Sequence, residues 1–358
     1  MRVCILGSGL SALTLAKALV GQNIYVDIFT SKKKPVINFS RTIGISKSNF
    51  DYFNNNIFNI EKICWKINKI EILTENFNKE KVLNFENNKN QLFSVVKNFK
   101  IYQALEKNLL KNKYFKKIYK NNYSNLLNKY DLVVNTDYSS SITKKYFNNK
   151  ILKDYYSYAY ISEITHKKIT NRTATQIFTK YGPLAFLPIS NTQTSLVFSI
   201  KKNKKITSQD FIKLVNQHNF NYEIKKIKKF DFFKLESHSL RNYYQGNILA
   251  FGDLLHKIHP LAGQGFNMTL RDLKILLDII KNKTDLGLPI DISVNKEFEK
   301  KSKAKNIIFS NGIDFLHEFF NLESKTNTNL LSKSVKFLGK NPSINNMFTK
   351  IADQGIIF

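Results

Sequence analysis

Apolar and polar positions along this chain repeat with two different periods, and the switches between them mark out the elements. Arg2 to Leu6 is a short apolar run that predicts a strand, after which Leu13, Ala16, Leu19 and Val20 recur at helical spacing. Ile24 to Phe29 reads as a second strand. Far along the chain, Ile248 to Phe251 predicts another strand that stops at Gly252-Asp253, and Leu270, Leu273, Leu277 and Ile280 mark one face of a helix. Phe178 to Ser190 and Ser195 to Phe198 alternate as antiparallel strands do. No uninterrupted apolar stretch reaches the roughly 18 to 20 residues that span a bilayer. The turn glycines and Lys17 distinguish the first apolar run from a secretion signal.

Glycines sit where two of these strands give way to helices. Gly7-Ser8-Gly9-Leu10-Ser11-Ala12 has the Gly-x-Gly-x-x-Ala form of a dinucleotide fingerprint. In it Gly7 makes the tight turn, Gly9 lets a pyrophosphate approach the backbone, and Ala12 lets the helix pack closely on the strand. The acidic residue expected at the end of the second strand is replaced by Thr30, read as a hydroxyl partner for the ribose. Asp27, three positions earlier, reads as a solvated strand residue. Gly252-Asp253 puts a carboxylate at a strand's C-terminal edge, where open α/β sheets bind ligands. Gly263-Gln264-Gly265 then opens a helix whose free N–H groups favour negative charge at the same place.

The run from Gly252 to Asp272 resembles the FAD-dependent aromatic-ring hydroxylases (class A flavoprotein monooxygenases), and within them the ubiquinone-biosynthesis hydroxylases. The matching residues are Gly252, Asp253, His256, His259, Pro260, Ala262, Gly263, Gln264, Gly265, Asn267, Leu270, Arg271 and Asp272, with departures at Leu254, Leu255, Met268 and Thr269. Asp131, Asp137 and Ser141 match a further segment of the family, in which Asn135, Thr136, Tyr138 and Lys144 depart from the pattern. Arg41 and Gln103 resemble family positions beside the pyrophosphate and the flavin. Phe309 to Leu316 and Ala352 to Gly355 also resemble family elements.

The resemblance implies an α/β fold like that of para-hydroxybenzoate hydroxylase, with a Rossmann-like FAD-binding domain (approximately 1–70, 90–150 and 240–285) interleaved with an antiparallel-sheet substrate domain (approximately 70–90 and 151–239). A helical region would occupy 286–358. It implies FAD bound by Gly7, Gly9, Ala12, Thr30, Arg41, Gln103, Asp137, Gly252, Asp253, Gly263, Gln264, Gly265 and Asn267. Pro260 and His259 would stand beside the reacting ring, and Leu184, Phe186 and Pro188 would form an apolar wall. The implied activity is hydroxylation of a polyprenylated phenol in ubiquinone biosynthesis, through a flavin hydroperoxide formed with O₂. Electrons would come from NAD(P)H or from a separate reductase, and the altered segment Asn135 to Tyr138 bears on that choice. Two alternatives stand beside this reading: a flavin oxidoreductase of different chemistry, and a non-catalytic flavin-binding subunit of a quinone-biosynthesis assembly.

Composition changes this picture little. The net charge of +29 comes from 56 Lys and Arg against 27 Asp and Glu, but the lysines are dispersed and form no basic stripe with stacking aromatics, so nucleic acid is not an expected partner. Such a surface suits peripheral association with an anionic inner membrane, where a prenylated substrate dissolves. Cys4 and Cys64 make no Cys-x-x-Cys pair, which points to a reducing, cytoplasmic setting. His256 and His259 lack further ligands for a metal site.

Overall fold

The computed structural model describes the chain apart from residues 32–39, 76–80, 87–90, 121–123, 202–205, 261–262, 327–332, 334–340 and 356–358. Ala262 therefore lies outside the described residues.

Arg2–Leu6 is the centre of a largely parallel sheet, flanked by Tyr25–Thr30 and Leu132–Asn135. Phe115–Tyr119 extends the sheet beyond Tyr25–Thr30, Ile248–Ala250 extends it beyond Leu132–Asn135, and antiparallel Tyr244–Gln245 closes that edge. Strands buried on both faces read as continuous apolar runs, which is why Val3 to Leu6 and Leu132 to Val134 are wholly buried. The helix Leu10–Gly21 covers one face with Leu13, Ala16 and Leu19, and Asn98–Leu109 packs on that helix. Gln264–Asp285 buries Leu270, Leu273, Leu277 and Ile280, the predicted stripe, and the long helix Ile292–Thr326 packs against it.

A second, mostly antiparallel sheet runs in the order Lys81–Glu86, Lys69–Thr74, Thr173–Thr179, Gly182–Pro188, Gln193–Lys201, Lys150–His166, Asp231–Leu240, His256–Lys257. Thr173–Thr179 pairs in parallel with Lys69–Thr74, which ties the early segment into this sheet. Ser208–His218 covers one face through Phe211 and Val215. A small sheet of Thr42–Ser46, Phe93–Lys97 and Trp65–Ile67 stands between the two large ones.

Asp27 departs from expectation. It is buried, accepts a hydrogen bond from the Tyr130 hydroxyl at 2.7 Å, and pairs with Arg2 at 3.0 Å. Lying in the strand interior, it ties the first two strands to the start of the Leu132–Asn135 strand, away from the C-terminal edge where Thr30 sits. Replacing it by Ala should lower stability to denaturant by about 1–3 kcal/mol, since Tyr130 loses a charged partner in a buried setting. Affinity for a ligand at the strand ends should be unchanged.

Candidate functional site

The site forms where the parallel strands end. Gly7 has φ +103°, and a Cβ there would fall 2.5 Å from Thr136 Oγ1, so the turn tolerates no side chain. Gly252 has φ +68°, and a Cβ would lie 2.7 Å from Ser11 and 4.0 Å from Thr269. That contact wedges Gly252 between the first turn of Leu10–Gly21 and the second turn of Gln264–Asp285. Neither helix has a side-chain cap: Gly9 stands at one N-cap and Gly263 at the other. Two sets of unsatisfied N–H groups, with the positive ends of two helix dipoles, thus converge on the Gly252-Asp253 turn.

Asp253 is exposed there, and its carboxylate has neither a hydrogen bond nor an ion pair among the described residues. Around Gly9 and Gly265 a Cβ would meet nothing within 4 Å, so the backbone is open to a close-fitting ligand. Thr30 lies at the second strand's end, buried, with its hydroxyl 3.1 Å from that of Ser8. Ala12 is fully buried in the first turn of its helix. Open backbone, two helix N-termini and an uncommitted carboxylate fit an elongated ligand carrying a pyrophosphate and a polyol, which is the shape and chemistry of FAD.

Other predicted residues are already engaged by the protein. Asn267 is buried: its Oδ1 accepts from Ser46 N at 2.9 Å and Asn49 Nδ2 at 3.1 Å, while its Nδ2 donates to Gly44 O at 3.0 Å and Gly263 O at 3.3 Å. Gln264 accepts from Arg271 at 3.2 Å. Asn267 therefore fixes the helix start against Thr42–Ser46, while Gln264 is held within its own helix by Arg271. Asp137 accepts from the backbone and hydroxyl of Ser139, and Asn135 bridges Asp137 N and Thr143 Oγ1. Thr136 donates to Leu6 O at 2.8 Å, and Tyr138 lies exposed with its ring 5.4 Å from that of His238. The altered segment is thus braced from within. Arg41 is exposed, its carbonyl accepting from Asn98 N at 2.9 Å, and Gln103 is exposed on Asn98–Leu109.

The loop between strand and helix is anchored by histidines. His256 Nε2 lies 2.5 Å from Asp272 Oδ2, both buried, and Asp272 Oδ1 accepts from Asn306 at 2.9 Å. His259 is buried against Tyr155 and His317, with ring centroids 4.7 and 4.3 Å away, and neither of its ring nitrogens has a hydrogen-bond partner among the described residues. The Tyr155 hydroxyl donates to Asp314, which joins this cluster to the long helix. Pro260 is half-buried, and its carbonyl accepts from Gly263 N at 3.3 Å.

The expected apolar wall is one residue out of phase. Leu184 and Phe186 pack with Phe211 and Val215 beneath Ser208–His218, on the far face of the sheet, and Pro188 shares their side of the strand. The face turned to the small sheet is set by Ser195, whose hydroxyl lies 2.9 Å from that of Thr42. Leu187 is paired with Ser195, and Ala185 with Val197, so these residues share that face. Ala174 and Leu187 cluster with Ile67 and Val95, and Phe178 with Ile258 and Met268. Glu163, paired with Ser195, is buried on this face between Lys97 at 2.7 Å and Lys228 at 2.6 Å. Burial works against its charge, yet Lys228 and Lys97 bring its pKa below the usual carboxylate value.

Comparison with known proteins agrees with this architecture. No protein-family model matches the chain. Among solved structures, p-nitrophenol 4-monooxygenase PnpA from Pseudomonas putida superposes with a TM-score of 0.78 at 10% identity, covering 99% of this chain and 98% of that one. HpxO of Klebsiella pneumoniae, in complex with FAD and uric acid, superposes with a TM-score of 0.75 at 11% identity, covering 99% and 97%. The fold is that of the FAD-dependent aromatic monooxygenases.

In sequence, the chain is 30% identical over 154 residues to 3-demethoxyubiquinol 3-hydroxylase of Escherichia coli, across 40% of this chain and 39% of that protein. It is 22% identical over 276 residues to the mitochondrial ubiquinone biosynthesis monooxygenase COQ6 of Schizosaccharomyces pombe, across 63% and 57%. The chain is therefore a relative of the ubiquinone-biosynthesis hydroxylases, and these matches span 39 to 57% of the relatives' own lengths.

The buried histidines generate a pH prediction. Burial, more than any neighbouring charge, pushes His238 and His317 down from 6.5 to about 4, and His259 well below its ordinary value. The unfolded chain takes up these protons below about pH 6.5 while the folded chain does not, so stability is full above that pH and is lost as pH falls toward 4. Each histidine should contribute about 1.4 kcal/mol per pH unit to the loss. Urea midpoints measured from pH 7 to pH 5 should fall, and the His317→Phe variant should show a shallower slope.

Proposed function

We propose that this chain is an FAD-dependent monooxygenase that inserts one oxygen atom into the ring of a polyprenylated phenol in ubiquinone biosynthesis. The observation that carries the reading is the convergence of two uncapped helix N-termini on Gly252 and the uncommitted carboxylate of Asp253.

In this reading the N–H groups after Gly9 receive the pyrophosphate, the Ser8 and Thr30 hydroxyls serve the adenosine ribose, and Asp253 accepts from the ribityl chain. FAD supplies the activation of O₂, which amino-acid side chains cannot perform. The N-terminus of Gln264–Asp285 favours negative charge on the reduced ring, and the His259-Pro260 loop stands beside it. Arg41, Gln103 and Asp137 belong to the proposed cofactor surface. Ala185, Leu187 and Val197 offer an apolar wall that excludes water from the reacting centre. Electrons come from NAD(P)H or from a separate reductase; the internally braced Asn135 to Tyr138 turn supports the second source. The charge of +29 supports a peripheral position on an anionic membrane, testable by vesicle flotation.

Asp253→Ala should weaken FAD binding about ten- to a hundredfold, the loss of roughly 1.5–3 kcal/mol in hydrogen bonds to a charged group, with thermal stability of the apoprotein unchanged. Unaltered affinity in a flavin-absorbance titration would make Asp253 a surface residue only.

The activity itself is tested with purified protein, photochemically reduced FAD, O₂ and a prenylated phenol. The expected product is heavier than the substrate by a single oxygen atom. Hydrogen peroxide without a hydroxylated ring, across the pathway's phenols, defeats the reading.

A further inference from the structure

The residues that fix the cofactor loop are held in turn by the far end of the chain. The helix Pro342–Gln354 starts on the Asn341 cap and ends beside Thr42–Ser46. There the Asp353 carbonyl accepts from Ser46 Oγ at 2.8 Å and from Ser48 Oγ at 3.0 Å, while its carboxylate accepts from Ser48 N at 2.8 Å. Ser48 lies in the first turn of Lys47–Asn56, whose own N-cap Ser46 makes no side-chain cap. Asp353 is therefore a remote cap, placing a negative charge on an otherwise uncapped helix dipole.

Two residues on, at Gly355, a second contact reaches the helix that starts at Gln264. Gly355 has φ +78°, and a Cβ there would lie 2.2 Å from Arg271 Nη1. Arg271 in turn donates to Asn267 O and Gln264 Oε1, both at 3.2 Å, and stacks 4.1 Å from the Phe309 ring. Ser46 bonds Asn267 on the opposite side. Both sides of the Gly44–Asn267 junction thus end on the same short stretch of C-terminal chain.

We propose that the C-terminal helix is a clasp for the cofactor loop, with Asp353 and Gly355 as positioning residues that hold Thr42–Ser46 against the start of Gln264–Asp285. The inference rests on the FAD reading for the identity of the ligand, and on the hydrogen bonds alone for the clasp. Asp353 makes these contacts through a side-chain acceptor and a backbone carbonyl, so Asp353→Asn keeps the geometry and loses only charge, whereas Asp353→Ala removes the cap.

The test pairs FAD titration of the full chain with hydrogen exchange on the apoprotein. Asp353→Ala should weaken FAD at least about tenfold and speed exchange at residues 44–49 and 263–267, while Asp353→Asn stays within about threefold of the parent. Ser48→Ala, which removes a single bond from the receiving side, should give an intermediate loss and keeps the test readable where the alanine variant folds poorly. Parent-like affinity and exchange in Asp353→Ala and Ser48→Ala overturn the clasp. So does a loss of affinity that merely tracks a fall in thermal midpoint, equal in the Ala and Asn variants. A parent chain that takes up no FAD defeats the cofactor reading alone, and the exchange data still decide the clasp.

Discussion

One side-chain amide carries much of this architecture. Asn267 makes four hydrogen bonds, to Ser46, Asn49, Gly44 and Gly263, and is wholly enclosed. Removing it would strand several buried polar groups together, each costing about 1–3 kcal/mol. Because it joins a strand near the start of the chain to a helix late in it, the helix N-terminus that opens at Gly263 cannot drift from the strand it faces. The anion-favouring ends of two helices stay aimed at one turn only while that distance is fixed.

Around this joint the chain separates charges it satisfies from one it leaves open. Asp27, Glu163 and Asp272 are buried, and each has its partners: Arg2 and Tyr130, Lys97 and Lys228, His256 and Asn306. Asp253 has none among the described residues and sits between two positive helix ends. Buried groups must be paired, whereas the exposed carboxylate of Asp253 stays open to water or to a ligand. Open donors and an open acceptor at one place suit a ligand such as the one proposed above.

Much of the frame was legible in the sequence. The apolar runs at Arg2 to Leu6 and Ile248 to Phe251 and the helical stripe from Leu270 to Ile280 follow directly from burial on both faces or on one, and glycines at positive φ announce their turns. What the pattern could not give was which face of an alternating strand meets which neighbour. Leu184 and Phe186 are apolar because a helix covers them, and Ala185 and Leu187 are apolar on the opposite side, so periodicity alone leaves the phase undecided until the Thr42–Ser195 contact sets it. Asp27 differs from expectation for a related reason: its partners, Arg2 and Tyr130, come from another strand and from the bend before Leu132–Asn135. The Asp353 cap and the packing of His317 against His259 had no local signal, because each depends on chain closing from hundreds or tens of residues away.

The proposed chemistry requires that the two helix ends and Asp253 receive a single FAD. Calorimetric titration of the purified, flavin-free chain with FAD, and with riboflavin for comparison, tests this directly. The account predicts saturable uptake of a single equivalent of FAD, with much weaker riboflavin binding because the pyrophosphate-directed N–H groups after Gly9 find no partner in it. Absence of FAD binding, or equal affinity for riboflavin, would contradict the account.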